Sequence, residues 1–169
     1  TLSLHDALPI YERYRWLMNI HTAVVNTKNK KILKENAVKF ISADSNGAET
    51  VFIGRVRNEN SGKKVTAVTY DAHDQMVLKS FNSICELAIK KFDKNAKVFL
   101  EHAKGYVPVG EISILIAVGA GHRDEAFKIC RYILEEVKHQ SLIWKKEHYV
   151  EGTEGWLPGH SLRPKKEVK

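Results

Sequence analysis

Hydrophobic positions recur along the chain at two spacings, which predict strands and helices. Short apolar or β-branched runs predict strands at residues 20–25, 48–57, 64–70, 98–102, 112–118 and 142–149. Apolar side chains three or four residues apart predict three amphipathic helices. Their apolar faces are Leu33, Ala37, Phe40 and Ile41 in the first, Val77, Phe81, Ile84, Cys85, Ala88 and Phe92 in the second, and Phe127, Cys130, Ile133, Leu134 and Val137 in the third.

Polar and glycine-rich segments separate these elements. The cluster at residues 44–47 ends the first helix, and Asn60-Ser61-Gly62 forms a turn between two strands. A loop that holds Gly105, Pro108 and Gly110 joins the fourth and fifth strands. Strands and helices therefore mix without strict alternation. This order predicts an α+β fold, with three helices packed on one mainly antiparallel sheet.

The pattern also predicts where the folded domain begins and ends. Residues 1–10 read TLSLHDALPI, which is identical to one reading frame of a widely used sequencing adapter. We therefore expect residues 1–17 to be a non-native extension and Met18 to be the native start. Residues 18–156 should form one domain. The hydrophobic periodicity ends after Gly152, and residues 157–169 are expected to be a flexible basic tail.

Composition narrows the class of protein. The 169 residues carry a net charge of +7, which favours acidic partners: nucleic acid, a phosphorylated substrate or an acidic protein surface. No apolar run is long enough to span a membrane, and no signal peptide is evident. Cys85 and Cys130 are predicted to be buried thiols in a reducing compartment, so a cytoplasmic location is expected. No Cys/His spacing suggests a metal site.

Two basic segments are candidates for anion binding. Arg55 and Arg57, two apart on a strand, should point the same way and form a two-pronged clamp. They could equally be charges that protect a strand edge. Residues 119–123 (GAGHR) connect a strand to a helix, where backbone N–H groups, His122 and Arg123 could bind an anion. Such a glycine-rich turn is often only a tight connection.

Three lysines add to the basic residues. Lys138 lies in the last turn of the third helix, and Lys145-Lys146-Glu147 lies in the last strand. Singly, each is more typical of a helix-dipole partner or a solvated face. If cations converged on one pocket, they would lower the pKa of a lysine among them and make a neutral amine available as base or nucleophile. The residues themselves indicate only a basic pocket for a phosphorylated ligand.

Five motifs in the right order resemble the large, catalytic subunit of molybdopterin synthase. They are FIGRVR at 52–57, Tyr70-Asp71-Ala72 followed by Met76, GYVPVGE at 105–111, His122-Arg123, and Lys138 with Trp144-Lys145-Lys146-Glu147. The resemblance covers residues 18–156. It implies a hammerhead-like α/β domain and two large subunits that form the central homodimer of a heterotetramer.

The resemblance also implies a reaction. A small ubiquitin-like subunit would carry a thiocarboxylate on its C-terminal Gly-Gly and donate sulfur to cyclic pyranopterin monophosphate, giving the dithiolene of molybdopterin. The activity would be that of a sulfurtransferase in molybdenum cofactor biosynthesis that requires no cofactor. By this resemblance the catalytic residues are Lys138 and Lys145. The residues that line the substrate pocket are Arg55, Val56, Arg57, His122, Arg123, Lys146 and Glu147.

Two departures and two rival functions accompany this reading. Gly119, Ala120 and Gly121 occupy a stretch where the family often has a small hydroxyl residue before His-Arg. The segment 157–169 does not resemble the family's usual end. A nucleic-acid-binding domain would suit the basic charge, but no aromatic residues interleave with the basic ones. A non-catalytic scaffold for the small subunit is disfavoured by the presence of both Lys138 and Lys145.

Overall fold

A computed structural model describes residues 18–140 and 142–152, together with the strand backbone of 154–156. The expectations for the extension at 1–17, with its adapter-like residues 1–10, and for the tail at 157–169 lie outside the described residues. No helix among the described residues is long and apolar enough to cross a membrane.

Among the described residues, eight strands form one sheet that is antiparallel except at one pairing. The strands are β1 Ile20–Asn26, β2 Ala48–Arg55, β3 Glu59–Asn60, β4 Lys63–Ala72, β5 Lys97–Pro108, β6 Ile112–Ala120, β7 Ile143–Tyr149 and β8 Glu154–Trp156. The central path runs β2-β6-β5-β4-β7-β8, with β1 parallel to β5 and β3 antiparallel to β4. The mainly antiparallel sheet predicted from the sequence is therefore confirmed.

Within residues 20–140, three helices cover the two faces of this sheet: α1 Lys34–Ile41, α2 Asp74–Phe92 and α3 Arg123–Gln140. Strand β6 is buried on both sides, because alternate side chains point to opposite faces. Its Ile116 packs in one core with α2 and α3, whereas Leu115 packs in a second core with α1. The sheet is thus the middle layer, and the ends of its strands remain open to form sites.

Strand β5 is longer than the sequence pattern predicts. Gly105 and Pro108 were expected in a loop, but β5 continues through both as far as its pairing with β4. Gly105 has a φ of +100°, and a Cβ there would lie 2.7 Å from Oγ1 of Thr27. Glycine therefore serves a close approach inside a strand rather than a loop. Pro108 is tolerated because it is the last residue of the strand.

Other apolar assignments were partly wrong. Leu33 is 46% exposed because it precedes α1 in an extended conformation, and Ile32 is buried instead. Phe127 is 63% exposed because the buried stripe of α3 runs through Ala126 and Ile129, which lie on either side of it in the sequence. The hydrophobic pattern ends at Gly152, so no strand was predicted beyond it, but β8 pairs with β7 there.

The two cysteines are both buried and unbonded, as predicted. Burial raises the pKa of the Cys85 thiol, and it raises that of Cys130 to about 11. Neither thiol lines the basic pocket described below. Both therefore act as small apolar groups of the core formed with α2 and α3.

Candidate functional site

A small basic pocket lies where the end of β2 meets strands β3, β4 and β7. Its cavity measures about 80 Å³. Arg55 and Arg57 line it from one side, and Lys145 and Glu147 line it from β7. The remaining lining residues are Val56, Glu59, Asn60, Val65, Val68 and Tyr70. Several of the predicted site residues therefore share one concave site, named here the Lys145 pocket.

The two arginines reach this pocket because β2 ends irregularly. The pairing register shifts between Gly54 and Arg55, and the strand stops at Arg55, so Arg57 lies beyond it. The backbone of Val56 nevertheless stays attached to the neighbouring turn, since its carbonyl accepts a hydrogen bond from the N–H of Gly110 at 2.9 Å. Arg55 Nη1 donates to the carbonyl of Gly110 at 2.7 Å. Both arginines line one pocket, although only Arg55 belongs to the strand.

Glu147 is the buried anion of the pocket, with only 4% of its surface exposed. Its Oε1 accepts a hydrogen bond from Nζ of Lys145 at 3.3 Å, which is also an ion pair. Its Oε2 accepts hydrogen bonds from Nδ2 of Asn60 at 2.8 Å and from the hydroxyl of Tyr149 at 2.6 Å. Lys145 therefore faces a carboxylate as well as the arginines, which the sequence did not predict.

These contacts set the electrostatics of the pocket. Burial alone would raise the pKa of Glu147, but the donors Tyr149, Asn60 and Lys145 outweigh it and hold that pKa below its usual value. The hydrogen bond to Glu147 raises the pKa of Tyr149. Burial raises the pKa of Tyr70, although a hydrogen bond with Ser113 opposes the rise. At neutral pH the pocket therefore combines an ionised carboxylate with neutral phenols and two arginines.

Lys146 and Lys138 lie outside the lining of this pocket. Side chains alternate along β7, so Lys146 points to the face opposite Lys145, at a position paired with Thr69 of β4. Lys138 is half-buried in the last turn of α3. The preceding Val137 packs in the core formed with α2 and α3, whereas Val56, Val65 and Val68 of the Lys145 pocket pack in the core with α1. A single chain therefore does not bring Lys138 into the lining of this pocket.

His122 and Arg123 lie far from the Lys145 pocket within one chain. Both are exposed at the start of α3, just after β6 ends at Ala120. Arg55 is instead paired with Ile112, at the beginning of β6. The eight residue steps between Ile112 and Ala120 span roughly 27 Å at the usual rise of a strand. A single chain therefore divides the predicted site residues between two ends of the sheet.

The glycines before His122 have a packing role as well as a loop role. Gly119 and Ala120 belong to β6 and not to the strand-to-helix turn. A Cβ on Gly119 would lie 2.6 Å from the carbonyl oxygen of Ile41 and would also overlap the amide of Asn46. The N–H of Gly121 donates to Oδ2 of Asp93 at 3.1 Å. A carboxylate of the protein thus already occupies one of the donors expected to bind an anion.

A separate cavity of about 660 Å³ borders His122 and Gly121. Polar side chains dominate its wall, including Asn46, Asp93 and Lys97. Neither lysine of the expected catalytic pair lines it. Among the described residues, no group of three or more His, Cys, Asp or Glu side chains could hold a metal ion.

Sequence reasoning missed Asn60 and Tyr149. Asn60 was assigned to a turn, but it belongs to the two-residue strand β3 and reaches Glu147 of β7 across β4. Tyr149 was assigned to the end of the last strand without a role. The available signal was the two-residue spacing of Lys145, Glu147 and Tyr149, which places all three on one face of β7.

The pocket can bind an anion and can move a proton. Two guanidinium groups offer several N–H donors for a phosphate or carboxylate. A lysine paired with a fixed carboxylate can hold a proton in a defined direction, and after losing it can act as base or nucleophile. These features define a class of protein: an α+β domain whose sheet ends in a basic pocket for an anionic substrate.

Comparison with known proteins identifies the family. The family model for the MoaE protein matches residues 27–140, more than half of the chain. The molybdopterin synthase catalytic subunit of Synechococcus elongatus is 41% identical over 126 residues, which cover 75% of this chain and 76% of that protein. The one from Pyrococcus abyssi is 39% identical over 132 residues, which cover 78% and 88%. The chain belongs to the MoaE family of molybdopterin synthase catalytic subunits.

Solved structures agree with this fold. Molybdopterin synthase from Staphylococcus aureus superposes with a TM-score of 0.73 at 27% identity, covering 82% of this chain and 96% of that one. A complex of subunits 1 and 2 of the molybdopterin-converting factor from Helicobacter pylori gives a TM-score of 0.64 at 22% identity, covering 84% and 90%. The hammerhead-like α/β domain implied by the sequence resemblance is therefore confirmed.

Proposed function

We propose that this chain transfers sulfur from the thiocarboxylated C-terminus of a small ubiquitin-like subunit to cyclic pyranopterin monophosphate. Family membership supports the activity, and the small subunit is supported by the fold shared with one chain of the two-subunit complex from Helicobacter pylori. The observation that carries the proposal is the pocket itself. It combines Lys145, from the lysine signature of the family, with Arg55 and Arg57 in one cavity.

The residues of the pocket suit the two anionic reactants. Arg55 and Arg57 are placed to hold the phosphate or the thiocarboxylate, and Lys138 and Lys145 supply the amines for acyl and proton transfer. In each round the sulfur bonds to a carbon of the pterin substrate, which releases an oxygen substituent, and water then hydrolyses the acyl–sulfur bond to leave a carboxylate on the small subunit. Two rounds give the dithiolene. Because sulfur arrives on the partner, the chain needs no reactive cysteine.

A second copy of the chain would bring His122 and Arg123 to the Lys145 pocket. Strand β2 is at one end of the sheet path, and among the described strands it pairs only with β6. If two β2 strands paired antiparallel about a two-fold axis between Val51 and Phe52, Arg55 of one copy would lie opposite Ala48 of the other. Within its own chain, Ala48 pairs with Ala120, two residues before His122. The pairing would therefore join the two halves of the site.

The surface beside β2 supports such a homodimer. A groove of about 790 Å³ runs between β2 and α3 and is mostly apolar. Val51 and Phe127 line it and are 40% and 63% exposed, which is costly for an isolated chain. An unpaired strand edge is also prone to further pairing. Burial of this edge against its symmetry mate would account for both features, and the small subunits would complete a heterotetramer.

The remaining parts of the proposal concern location and rival functions. We place the protein in the cytoplasm, where its two free thiols would stay reduced. A nucleic-acid-binding role would require basic residues spread over an open face, whereas Arg55, Arg57 and Lys145 converge in a cavity of about 80 Å³. A non-catalytic scaffold would not require an amine in that cavity, where Lys145 lies.

Reconstitution tests the function directly. The full chain is incubated with a thiocarboxylated small subunit and cyclic pyranopterin monophosphate, and molybdopterin is measured. Formation of dithiolene that depends on the thiocarboxylate supports the proposal. Binding of the small subunit without any product would indicate a scaffold, and retention on nucleic acid with neither binding nor product would favour the basic-domain reading.

A further inference from the structure

We propose that Glu147 positions Lys145 for the reaction, and that Asn60 and Tyr149 are positioning residues that orient Glu147. This inference rests on the proposed function, because it concerns how the lysine of that pocket is held. The resemblance to the family assigned Glu147 to the substrate-lining residues and gave Asn60 and Tyr149 no role.

The carboxylate of Glu147 uses its two oxygens differently. Oε2 accepts two hydrogen bonds, from Asn60 at 2.8 Å and from Tyr149 at 2.6 Å. Oε1 accepts from Lys145 at 3.3 Å. Two donors from different strands fix the plane of the carboxylate, and its second oxygen is thereby aimed at the lysine. A substrate anion would gain nothing from a group that is itself anionic and already bonded at both oxygens.

Burial makes this arrangement specific. A buried carboxylate is costly unless donors satisfy it, and Glu147 has three within hydrogen-bond distance. The donors also keep it ionised at neutral pH, since they hold its pKa below the usual value. An anion fixed in this way restrains the position of Nζ of Lys145 through a charge-assisted hydrogen bond.

Other charged and titratable groups also face the lysine. Arg55 and Arg57 bring two further positive charges to the same cavity, and the Glu147 carboxylate offsets them. Glu147→Gln keeps the shape of the side chain but removes this charge, which leaves Glu59 as the carboxylate of the cavity. The groups of the Lys145 pocket that share the cavity with Nζ are Arg55, Arg57, Glu59, Tyr70 and Glu147.

The test measures the reactivity of Lys145 in the full chain without substrate or partner. The protein is labelled with a trace of acetic anhydride across a pH series, and acetylation of Lys145 is quantified by mass spectrometry against exposed Lys34 in the same sample. In Glu147→Gln the labelling of Lys145 relative to Lys34 should rise severalfold, because the amine has lost the carboxylate that holds it. Tyr149→Phe and Asn60→Ala should move it in the same direction by less. Tyr106→Phe, outside the pocket, is the matched control and should not move it.

Kinetics in the reconstituted reaction supply the second readout. Tyr149→Phe should lower kcat about tenfold with KM for the pterin nearly unchanged, because it disturbs the lysine and not the substrate contacts. A raised KM with an unchanged labelling profile would overturn the inference and make Glu147 a substrate ligand. Wild-type labelling profiles in Glu147→Gln and Tyr149→Phe would also overturn it. Because labelling needs no turnover, its outcome is separate from that of the proposed function.

Discussion

Arg55 and His122 lie at opposite ends of strand β6, although the family resemblance places both in one substrate pocket. Arg55 is paired with Ile112 at the start of the strand, and His122 follows Ala120 at its end. Roughly 27 Å of strand separates the two ends. The proposed two-fold pairing of β2 resolves this conflict, because each pocket would then take Lys145 from one copy and Arg123 from the other.

Mixed dimers test that arrangement. Arg123→Ala removes a charge-assisted hydrogen bond to the substrate, which typically costs about 1.5–3 kcal/mol of binding, and Lys145→Ala removes the amine. Each variant alone should be nearly inactive at limiting substrate. A heterodimer of the two, purified with two different tags, would contain one pocket with both residues intact. It should show about half of wild-type activity per dimer, on the shared-site model.

A site built within one chain gives the opposite result. Each copy in the heterodimer would then carry one defect, and activity would stay at the level of the parents. A dimer of two wild-type chains with the same tags serves as the control for the effect of tagging.

Gly119 should be required for stability because α1 approaches β6 closely there. A methyl group at Gly119 would overlap the carbonyl of Ile41, 2.6 Å away, and the amide of Asn46. Gly119→Ala should therefore lower the free energy of unfolding by about 1–3 kcal/mol, the usual range for overpacking. Gly121→Ala is the matched control, since its nearest neighbour, Oδ2 of Asp93, is 3.8 Å away. The measurement is the midpoint of urea denaturation of each variant. Equal midpoints would show that the neighbours of Gly119 move aside at no cost in stability.

His102 should make the protein less stable in mild acid. It is 3% exposed, and burial lowers its pKa from 6.5 to about 4. The unfolded chain therefore binds a proton on this ring at a higher pH than the folded chain does. The free energy of unfolding is therefore unaffected by this ring above about pH 6.5. As the pH drops from about 6.5 towards 4, the free energy of unfolding falls by up to about 3 kcal/mol.

Denaturation at several pH values checks this behaviour. Between pH 6.5 and 4.5 the wild type should lose stability more steeply than His102→Gln, which cannot gain a proton. The difference between the two slopes isolates this ring from the other histidines. Parallel slopes would mean that His102 is not held neutral by its surroundings.

Much of the fold could be predicted because its core follows simple periodicities. The stripe of α2 from Val77 to Ala88 and the apolar run of β6 from Ile114 to Val118 led directly to buried elements. Prediction failed where a local signal has two meanings. Gly105 and Pro108 are typical of loops, yet one allows a close approach to Thr27 and the other ends a strand. Phe127 matches a helical stripe but lies on the groove beside β2.

The site was less predictable because it depends on strands that are distant in sequence. Lys145 and Glu147 could be selected from their motif, but the ion pair between them depends on the buried orientation of the carboxylate. Asn60 reaches that carboxylate from 87 positions earlier in the chain. Spacing along one strand could suggest Tyr149, whereas nothing in a single sequence pairs residue 60 with residue 147.

The two lysines should be needed for chemistry rather than for binding. Lys138→Ala and Lys145→Ala should each abolish most sulfur transfer while leaving small-subunit binding nearly intact. The reason is that both belong to the lysine signature of the family and would supply the amines of the site. Binding of the small subunit, measured by calorimetry, provides the control. A raised KM with an unchanged kcat would show that the lysines only bind the phosphate of the substrate.

The most direct single measurement is kcat for Lys145→Arg at saturating cyclic pyranopterin monophosphate and thiocarboxylated small subunit. Arginine keeps the positive charge beside Glu147 but does not release its proton near neutral pH. If Lys145 acts as a base or nucleophile, the arginine variant should be as inactive as Lys145→Ala. Wild-type turnover by Lys145→Arg would contradict the catalytic role and leave this residue as an electrostatic contact only.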